Sequence, residues 1–406
     1  MRLLVVSQYF WPESFRINEL VQTLVGRGVE VNVLTGKPNY PEGKVFPGYR
    51  ALGSMRETWN GANVYRVPLI PRGFRSGIRL FLNYLSFVVS AATVGTWMLR
   101  RVPCDAIFVY APSPLLKALP ALFIGWLKRV PVVVYVQDLW PESIEATGYV
   151  RNRVVIRMVE LLVHFIYRHA DLILVSSRSF IASVQRFSPT AQVVYYPNSV
   201  DSVFCDPGYG SKHDVPALRS GFTVVFAGNV GAAQAVHVIT KAAALLKKHP
   251  DIRIVVLGSG SELDWMRAQI AEHKLDNLIL AGRYPVEAMP NLLAQANILL
   301  VTLADREIFA ATVPNKIQAY MAVGRPIIAA MNGEGARLVQ EANAGLAVPA
   351  EDAIALADAI VSLHQMPQEE REKLGANAQS YYRRHFDHET LVTELQSHLA
   401  KITKVK

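Results

Sequence analysis

The residues Trp-Pro-Glu-Ser occur twice in the chain, each time after an apolar run that is typical of a buried strand. One copy covers residues 11–14 and the other residues 140–143. Ligands of open parallel sheets bind outside the carboxyl ends of the strands. We therefore expect both copies to line one polar cleft, through the side chains of Trp11, Glu13, Trp140 and Glu142. Alternatively, the serine of each copy caps a following helix.

Two carboxylates in these loops are candidates for catalysis. Glu13 belongs to the first copy, and Asp138 directly follows the predicted strand that leads to the second. Helix capping is the alternative role for Asp138. The stretch from residue 36 to residue 56 is rich in Pro, Gly, Asn and Tyr, and loops of this length are usually functional. Tyr40 and Glu42 in this stretch are candidates for substrate binding.

Glycines at two strand ends in the second half indicate phosphate binding. Predicted strands over residues 222–227 and 252–257 each lead into such a turn, and the candidate residues are Gly228, Asn229, Gly231, Gly258 and Gly260. Glycine lets the backbone approach a phosphate, and a helix amino terminus offers free N–H groups. The alternative is that each turn needs glycine for its own geometry. Neither turn has the GxGxxG pattern, and GxxxxGK[ST] is absent, so we expect neither NAD nor ATP in a P-loop.

A lysine in the motif formed by residues 313–326 also suggests phosphate binding. Lys316 lies near the start of a predicted helix, where its charge opposes the helix dipole unless an anion compensates for it. A phosphate would supply that compensation, and a solvated surface lysine is the alternative. The chain contains no DxD pair, so we expect no metal to chelate a diphosphate, and no cofactor.

Strands and helices alternate through all 406 residues, more than one hydrophobic core usually covers. The sequence predicts two Rossmann-like α/β domains that face a central cleft. The first domain would span residues 1–204 and the second residues 205–380. Residues 205–211 have the composition of a linker. We expect the segment 381–406 to form a helix that packs back toward the first domain.

Charge is distributed unevenly between the two halves. Residues 1–204 hold 22 Lys and Arg against 12 Asp and Glu, whereas residues 205–406 hold 20 against 21. A basic first half indicates an anionic partner, which we expect to be lipid headgroups or a lipid phosphate. No zinc finger, RNP motif or helix-turn-helix is present, so nucleic acid is the least expected partner.

Residues 80–99 form the most hydrophobic window, with Arg79 before it and Arg100 and Arg101 after it. A membrane span would separate strands of one sheet, so we predict a long helix, mostly packed in the core, whose basic flanks lie on a membrane. Residues 115–127, with Lys117, Lys128 and Arg129, would extend that surface; a pure core helix is the alternative for residues 80–99. The chain has two cysteines, and we expect no signal peptide because the apolar run after Met1 and Arg2 is short. We expect a cytoplasmic protein, peripheral on the inner face of the cytoplasmic membrane.

Several motifs together resemble glycosyltransferase family 4, the retaining GT-B enzymes that use nucleotide-sugars. Residues 314–326, PNKIQAYMAVGRP, are similar to the PSK…EYMAxGxP segment of that family, and residues 197–201, PNSVD, are similar to PNGVD. The chain also contains motifs that resemble those of the N-acetyl-L-fucosaminyl (L-fucosamine) transferases of O-antigen and capsule assembly. They are residues 7–13, 39–43, 137–143 and 333–335. The resemblance implies transfer of a sugar from a UDP-sugar to a lipid-linked saccharide, with retention.

The resemblance also implies roles for the candidate residues. Lys316, Asn229 and the first glycine turn would stabilise the diphosphate, and Arg283 would contact the nucleotide base unless it is a surface arginine. Asp138 and Glu13 would contact the acceptor or the transferred sugar. The acids of the EX7E pair common in the family are replaced by Ala311 and Ala319, and Gln137 stands where many members have His. Two alternatives are a nucleotide-sugar 2-epimerase and a non-catalytic membrane-associated scaffold.

Overall fold

The computed structural model describes residues 1–73, 77–147, 152–204 and 213–405. It divides into two compact units. The first consists of Met1–Pro197 and Leu391–Lys406, and the second of Asn198–Thr390. Each unit is built on a mostly or wholly parallel sheet covered by helices, which confirms the prediction of two α/β domains.

The first unit contains an eight-stranded sheet in the order β3-β4-β2-β1-β5-β6-β7-β8, in which only the pairing of β3 with β4 is antiparallel. The central strands are buried because helices cover both faces, as expected for parallel sheets. The strands are β1 (Arg2–Val6), β2 (Glu30–Thr35), β3 (Met55–Trp59), β4 (Ala62–Arg66), β5 (Ala106–Ala111), β6 (Val132–Val136), β7 (Leu172–Val175) and β8 (Val193–Tyr195).

Helices connect these strands, and one of them differs from its prediction. They are α1 (Ile17–Gly26), α2 (Gly77–Ser90), α3 (Thr96–Leu99), α4 (Ala118–Lys128), α5 (Glu142–Thr147), α6 (Arg153–His169) and α7 (Ser179–Phe187). A π-helical segment, Ala91–Gly95, joins α2 to α3. The predicted core packing of this hydrophobic stretch is wrong, because only 17% of its most apolar window is buried. The stretch Gly77–Leu99 is long and apolar enough to cross a membrane by length and composition alone.

The second unit contains a six-stranded parallel sheet in the order β11-β10-β9-β12-β13-β14. Its strands are β9 (Phe222–Ala227), β10 (Ile252–Leu257), β11 (Leu278–Gly282), β12 (Ile298–Thr302), β13 (Ile327–Ala330) and β14 (Gly345–Val348). Its helices are α8 (Val236–Leu245), α9 (Leu263–His273), α10 (Met289–Leu293), α11 (Glu307–Ala311), α12 (Asn315–Val323), α13 (Glu334–Glu341), α14 (Ala353–Gln365) and α15 (Gln368–His385).

The last helix, α16 (His388–Val405), contributes to the core of the first unit. Its apolar side chains pack there with those of α1; they are Leu391, Val392, Leu395 and Leu399. The Tyr196 hydroxyl donates a hydrogen bond to the carbonyl of Leu391 at 3.0 Å, and Arg27 donates to the side chains of Thr393 and Gln396. The stretch 381–406 contains two helices, since α15 ends at His385 and α16 begins at His388.

The division between the units falls at Pro197 and Asn198 instead of the predicted 204/205. The reason is packing: Val200 and Phe204 bury their side chains in the core of the second unit. The predicted linker, residues 205–211, lies outside the described residues.

Candidate functional site

The turn after β9 in the second unit requires glycine at its first position. Gly228 has a φ of +124°, a conformation that other residues rarely adopt. A Cβ atom at this position would lie 2.7 Å from Cε of Lys316. Gly228 therefore lets the lysine side chain lie directly against the backbone at the end of the strand.

The two glycine turns of this unit pack against each other. A Cβ atom on Gly258 would lie 1.9 Å from the carbonyl oxygen of Gly228, and one on Gly260 would lie 2.1 Å from that of Val230. The Val230 amide donates to the carbonyl of Ser259 at 3.0 Å. These contacts explain Gly258 and Gly260 by the close approach of two backbones, which joins the carboxyl ends of β9 and β10 into one surface.

Lys316 lies at the second position of α12, with its ammonium group buried. Its Nζ atom has no hydrogen-bond partner among the described residues and lies 3.8 Å from the centre of the Phe226 ring. Burial lowers the pKa of Lys316 to about 7. One turn later, the hydroxyl of buried Tyr320 accepts a hydrogen bond from the Ala227 amide at 2.9 Å, which holds α12 against the end of β9.

The motif residues around this lysine meet in the second unit. Asn198, in the PNSVD segment, donates from its side chain to Oδ1 of Asn315 at 3.1 Å. Asn229 is exposed, and its side-chain amide donates to Oε1 of Gln234 at 2.9 Å. Arg283, directly after β11, is exposed as well. The arrangement places an unpartnered cation beside a glycine turn and a helix amino terminus, which is the chemistry of a phosphate site.

The positions of the missing acids lie close to this arrangement in sequence. Ala311 ends α11, and Ala319 is buried in the middle of α12. Glu307 begins α11 with an exposed side chain. Among the described residues, no group of three or more His, Cys, Asp and Glu side chains is placed to hold a metal ion.

In the first unit, Glu13 is 2% exposed and accepts hydrogen bonds from three backbone amides. Oε1 accepts from the amides of Asn39 and Tyr40, both at 2.8 Å, and Oε2 accepts from that of Phe10 at 3.1 Å. Burial raises the pKa of Glu13 to about 7, and the three amides act in the opposite direction. Glu13 therefore joins the loop after β1 to the loop after β2, so its geometry is that of a positioning residue.

Asp138 follows β6 and lies near Lys117, a residue that the sequence analysis placed on a membrane-facing surface. Lys117 is 1% exposed and ends a 3₁₀ turn after β5, so its predicted place on a membrane-facing surface is wrong. Its Nζ atom donates to the carbonyl of Ser113 at 3.3 Å. Burial lowers the pKa of Lys117 to about 7, and the charge of Asp138 opposes this shift.

Burial raises the pKa of the Asp138 carboxyl group, and Lys117 opposes this shift in turn. The phenols of Tyr9 and Tyr84 belong to the same polar cluster: the Tyr9 ring lies 5.8 Å from Nζ of Lys117, and Asp138 acts on the pKa of Tyr84. The cluster combines a coupled acid and base at the carboxyl edge of one sheet. Spacing alone does not identify Lys117, because its pairing with Asp138 depends on β5 and β6 being neighbours.

The two Trp-Pro-Glu-Ser copies have different surroundings. Trp11 is 37% exposed, whereas the indole of Trp140 donates to the hydroxyl of Ser113 at 3.1 Å. Glu142 begins α5 and forms an ion pair with Arg186 at 2.7 Å, so it does not repeat the role of Glu13.

The predicted substrate-binding residues of the long loop are exposed. Tyr40 is 37% exposed and lies under the guanidinium of Arg72, which is 4.9 Å from its ring centre. Glu42 is exposed at the tip of the loop. Both side chains are therefore accessible to a ligand.

Protein-family models match most of the chain. The model described as "Glycosyl transferase 4-like domain" matches residues 14–199, and the model described as "Glycosyl transferases group 1" matches residues 221–366. The chain belongs to the glycosyltransferases. The two matched segments of this glycosyltransferase contain Asp138, which follows β6, and Lys316, which lies on α12.

Named relatives of this glycosyltransferase come from bacteria. A probable glycosyltransferase of Pseudomonas aeruginosa, WbjE, is 28% identical over 55% of this chain and 58% of its own length. A putative colanic acid biosynthesis glycosyltransferase of Escherichia coli, WcaI, is 25% identical over 80% of this chain and 82% of its own length. The chain thus matches less than two thirds of WbjE.

Solved structures confirm the predicted GT-B fold of this glycosyltransferase. A sucrose-phosphate synthase from Thermosynechococcus elongatus aligns with a TM-score of 0.73 at 17% identity and covers all of both chains. HepE from Anabaena, solved in complex with UDP, aligns with a TM-score of 0.70 at 15% identity over 99% of this chain and 100% of its own. At these identities the likeness concerns the fold alone.

Proposed function

We propose that the protein transfers a sugar, with retention, from a UDP-sugar to a lipid-linked saccharide in surface polysaccharide (O-antigen or capsule) biosynthesis. The motifs favour an N-acetylated amino sugar such as N-acetyl-L-fucosamine. The named role of WcaI in colanic acid biosynthesis supports a polysaccharide product. The UDP complex of HepE supports the choice of nucleotide.

The observation that carries this proposal is the buried ammonium of Lys316 beside Gly228, to which no described residue offers a hydrogen-bond acceptor. A diphosphate at the Gly228–Gly231 turn would give Lys316 its missing anion. Charge-assisted contacts of this kind stabilise the leaving diphosphate as the glycosidic bond to the donor breaks. Asn229 and the turn backbone would add hydrogen bonds, and Arg283 would contact the base.

The first unit would supply the acceptor side. Asp138 would contact the acceptor or the transferred sugar, because its carboxyl group and Lys117 form a coupled acid and base at the edge of the sheet. Glu13 would act indirectly, by holding the loop that carries Tyr40. The proposed acceptor contacts are completed by exposed or half-buried side chains of the same loops, Trp11, Glu42, Trp140 and Glu142.

We place the protein on the inner face of the cytoplasmic membrane, where a lipid-linked acceptor would be available. The excess of positive charge in the first half supports this placement, since anionic lipids attract basic surfaces.

The first experiment is thermal unfolding of the protein with UDP, GDP, CDP, ADP and UDP-N-acetylhexosamines. A ligand at 100 times its dissociation constant adds about 2.7 kcal/mol to the free energy of unfolding. We expect a higher melting temperature with the uridine compounds alone. The absence of any shift would overturn the proposed donor site and favour the non-catalytic scaffold.

The matched variants are Lys316→Met and Lys241→Met. Lys241 is an exposed lysine on α8 of the same unit, so its loss should leave the uridine-dependent shift unchanged. Product analysis without any acceptor separates transfer from isomerisation, because an epimerase converts the nucleotide-sugar on its own. Accumulation of an epimeric nucleotide-sugar would contradict the proposed transfer.

A further inference from the structure

The outer side of α2 carries a row of large apolar side chains. They are spaced so as to lie along one side of the helix, are 37–76% exposed, and are Ile78, Phe81, Leu82, Leu85 and Val89. A surface helix of a water-soluble domain normally turns such a row toward the core. Here the row faces away from the sheet.

Two neighbouring helices of the first unit continue this row. On α4 the exposed apolar residues are Phe123, Trp126 and Leu127, and on α6 they are Val154, Met158, Leu161 and Phe165. Because α4 contacts both α2 and α6, the three helices form one layer. We call the exposed apolar side chains of α2, α4 and α6 the apolar face. An exposed apolar surface of this extent indicates a partner.

The inner side of α2 has three buried residues: Asn83 and Ser90, which hydrogen-bond to the first unit, and Phe87. Oδ1 of buried Asn83 accepts hydrogen bonds from the side chains of Gln8 and Tyr9, at 2.7 and 3.2 Å. Seven residues later the Ser90 hydroxyl donates to the carbonyl of Pro68 at 2.6 Å. Because α2 hydrogen-bonds to the protein through Asn83 and Ser90 and turns its row of large apolar side chains outward, it has the pattern of a helix that lies on an apolar medium.

Positive charge accompanies the apolar face. Exposed arginines flank its helices, among them Arg100, Arg101 and Arg153, and the Arg100 guanidinium lies 4.2 Å from the ring centre of 60%-exposed Trp97. Among the described residues of α2, α3, α4 and α6, Glu160 is the single acidic residue. This charge pattern complements a negatively charged lipid surface and would repel a basic partner.

We propose that the apolar face inserts into the headgroup and upper acyl region of an anionic bilayer, with α2, α4 and α6 lying along its surface. The flanking arginines would contact lipid phosphates. This inference refines the proposed membrane attachment by naming the surface that makes it. Because Asn83 on α2 bonds to Gln8 and Tyr9, docking would also bring the carboxyl edge of β1 close to the headgroups.

The test is flotation of the full chain with phosphatidylcholine vesicles and with vesicles containing 30% phosphatidylglycerol. The apolar variant is Leu85→Gln, Trp126→Gln, Leu161→Gln, and its control is Leu245→Gln, Trp265→Gln, Ile354→Gln. The control residues are exposed apolar residues of the second unit. We expect the apolar variant to bind about 100-fold more weakly, since each lost side chain contributes about fivefold when half of it is buried. The control should bind like the wild type.

A second variant tests the charge. Arg100→Glu, Arg101→Glu, Arg153→Glu should lose at least about 100-fold in binding to the anionic vesicles, at about fivefold for each basic residue removed. Lys241→Glu should change binding little. Vesicle binding by the wild type that neither triple variant weakens would overturn the proposal.

Sedimentation in lipid-free buffer separates the membrane from a second copy of the chain. A wild-type dimer that the apolar variant converts to a monomer, without any vesicle binding, would show that the face is a protein interface. The UDP-dependent melting shift is measured on the same variants. If a variant no longer floats but keeps the UDP-dependent shift, the proposed transferase function is unaffected. If the wild type floats but shows no such shift, the transferase proposal fails and the membrane proposal stands.

Discussion

Two buried lysines, Lys117 in the first unit and Lys316 in the second, lie at the carboxyl edges of the two sheets. Burial lowers the pKa of both to about 7. Lys117 donates a hydrogen bond to a carbonyl and lies near the carboxyl group of Asp138. Lys316 has no hydrogen-bond partner among the described residues, and its Nζ atom lies over the Phe226 ring.

The charge of Asp138 partly balances that of Lys117, whereas no described residue balances the charge of Lys316. A buried charge without a partner costs folding free energy, and such groups are found where a ligand supplies the partner. Lys316 fits this description, whereas Lys117 and Asp138 each offset part of the desolvation of the other. The same residue type therefore indicates ligand binding in one unit and control of a carboxyl group in the other.

The largest expected effect is that of Lys316→Met on nucleotide binding. Loss of one charge-assisted phosphate contact should weaken UDP binding by about 10- to 150-fold, or roughly 1.5–3 kcal/mol. The free protein should become more stable at pH 7, by roughly 2–4 kcal/mol, because the variant no longer buries an unpartnered amine. Calorimetric titration and thermal unfolding measure the two effects.

Lys117→Met is the control for this prediction, and it should leave UDP affinity unchanged. Equal loss of affinity in both variants would break the distinction between the two lysines.

The second prediction concerns Gly228→Ala. The new Cβ atom would displace Lys316 from the turn, and the φ of +124° is strained for alanine. We expect a loss of roughly 1–3 kcal/mol in the free energy of unfolding, together with weaker UDP binding. Gly26→Ala is the matched control, since a Cβ atom there meets nothing within 4 Å. Wild-type UDP affinity in Gly228→Ala would contradict the contact between the turn and the lysine.

A smaller effect is expected from Lys117→Met on the pH dependence of transfer. Removing the positive charge disfavours the carboxylate of Asp138, so its pKa should rise further. The acid limb of the kcat/KM profile should then move to higher pH by about one unit. Asp138→Asn should lower turnover and remove this limb without changing UDP binding. An acid limb that stays in place in Lys117→Met would remove Lys117 from the site.

The smallest expected effect is proton uptake when UDP binds. With a pKa of about 7, Lys316 is mostly neutral at pH 8 in the free protein, and a bound diphosphate should restore its charge. Titrations in buffers of different ionisation enthalpy should show uptake of about one proton at pH 8 and almost none at pH 5.5. The uptake should be missing from Lys316→Met; uptake that persists would assign the proton to another group.

The pH dependence of the free energy of unfolding tests whether folding lowers the pKa of Lys316. The pKa of Lys316 falls from 10.5 to about 7 on folding, so the unfolded chain binds more protons between these values. Its contribution should therefore make the free energy of unfolding rise with pH from about 7 to 10.5.

The proposed donor site was the more predictable part of the candidate site. Gly228 and Lys316 lie in short segments whose local chemistry, a strand-to-helix turn and a charge at a helix start, is visible along the chain. The parallel sheets follow from the same local patterns, because buried β-branched runs alternate with helices.

The proposed acceptor site was less predictable because its contacts join distant segments. Lys117 lies in an apolar stretch, and only the pairing of β5 with β6 brings it near Asp138. Glu13 positions its loop by accepting hydrogen bonds from the amides of Asn39 and Tyr40, which are 26 and 27 residues away in the sequence. For α2, hydrophobicity alone did not reveal which side of the helix faces the protein.

The position of α16 has a consequence for synthesis of the chain. This helix leaves the ribosome after the whole second unit, yet Leu391, Leu395 and Leu399 complete the core beside α1. The second unit, whose residues end at Thr390, has its whole sequence available earlier. The first unit is therefore completed after the second, and its apolar patch stays open to chaperones until α16 has been synthesised.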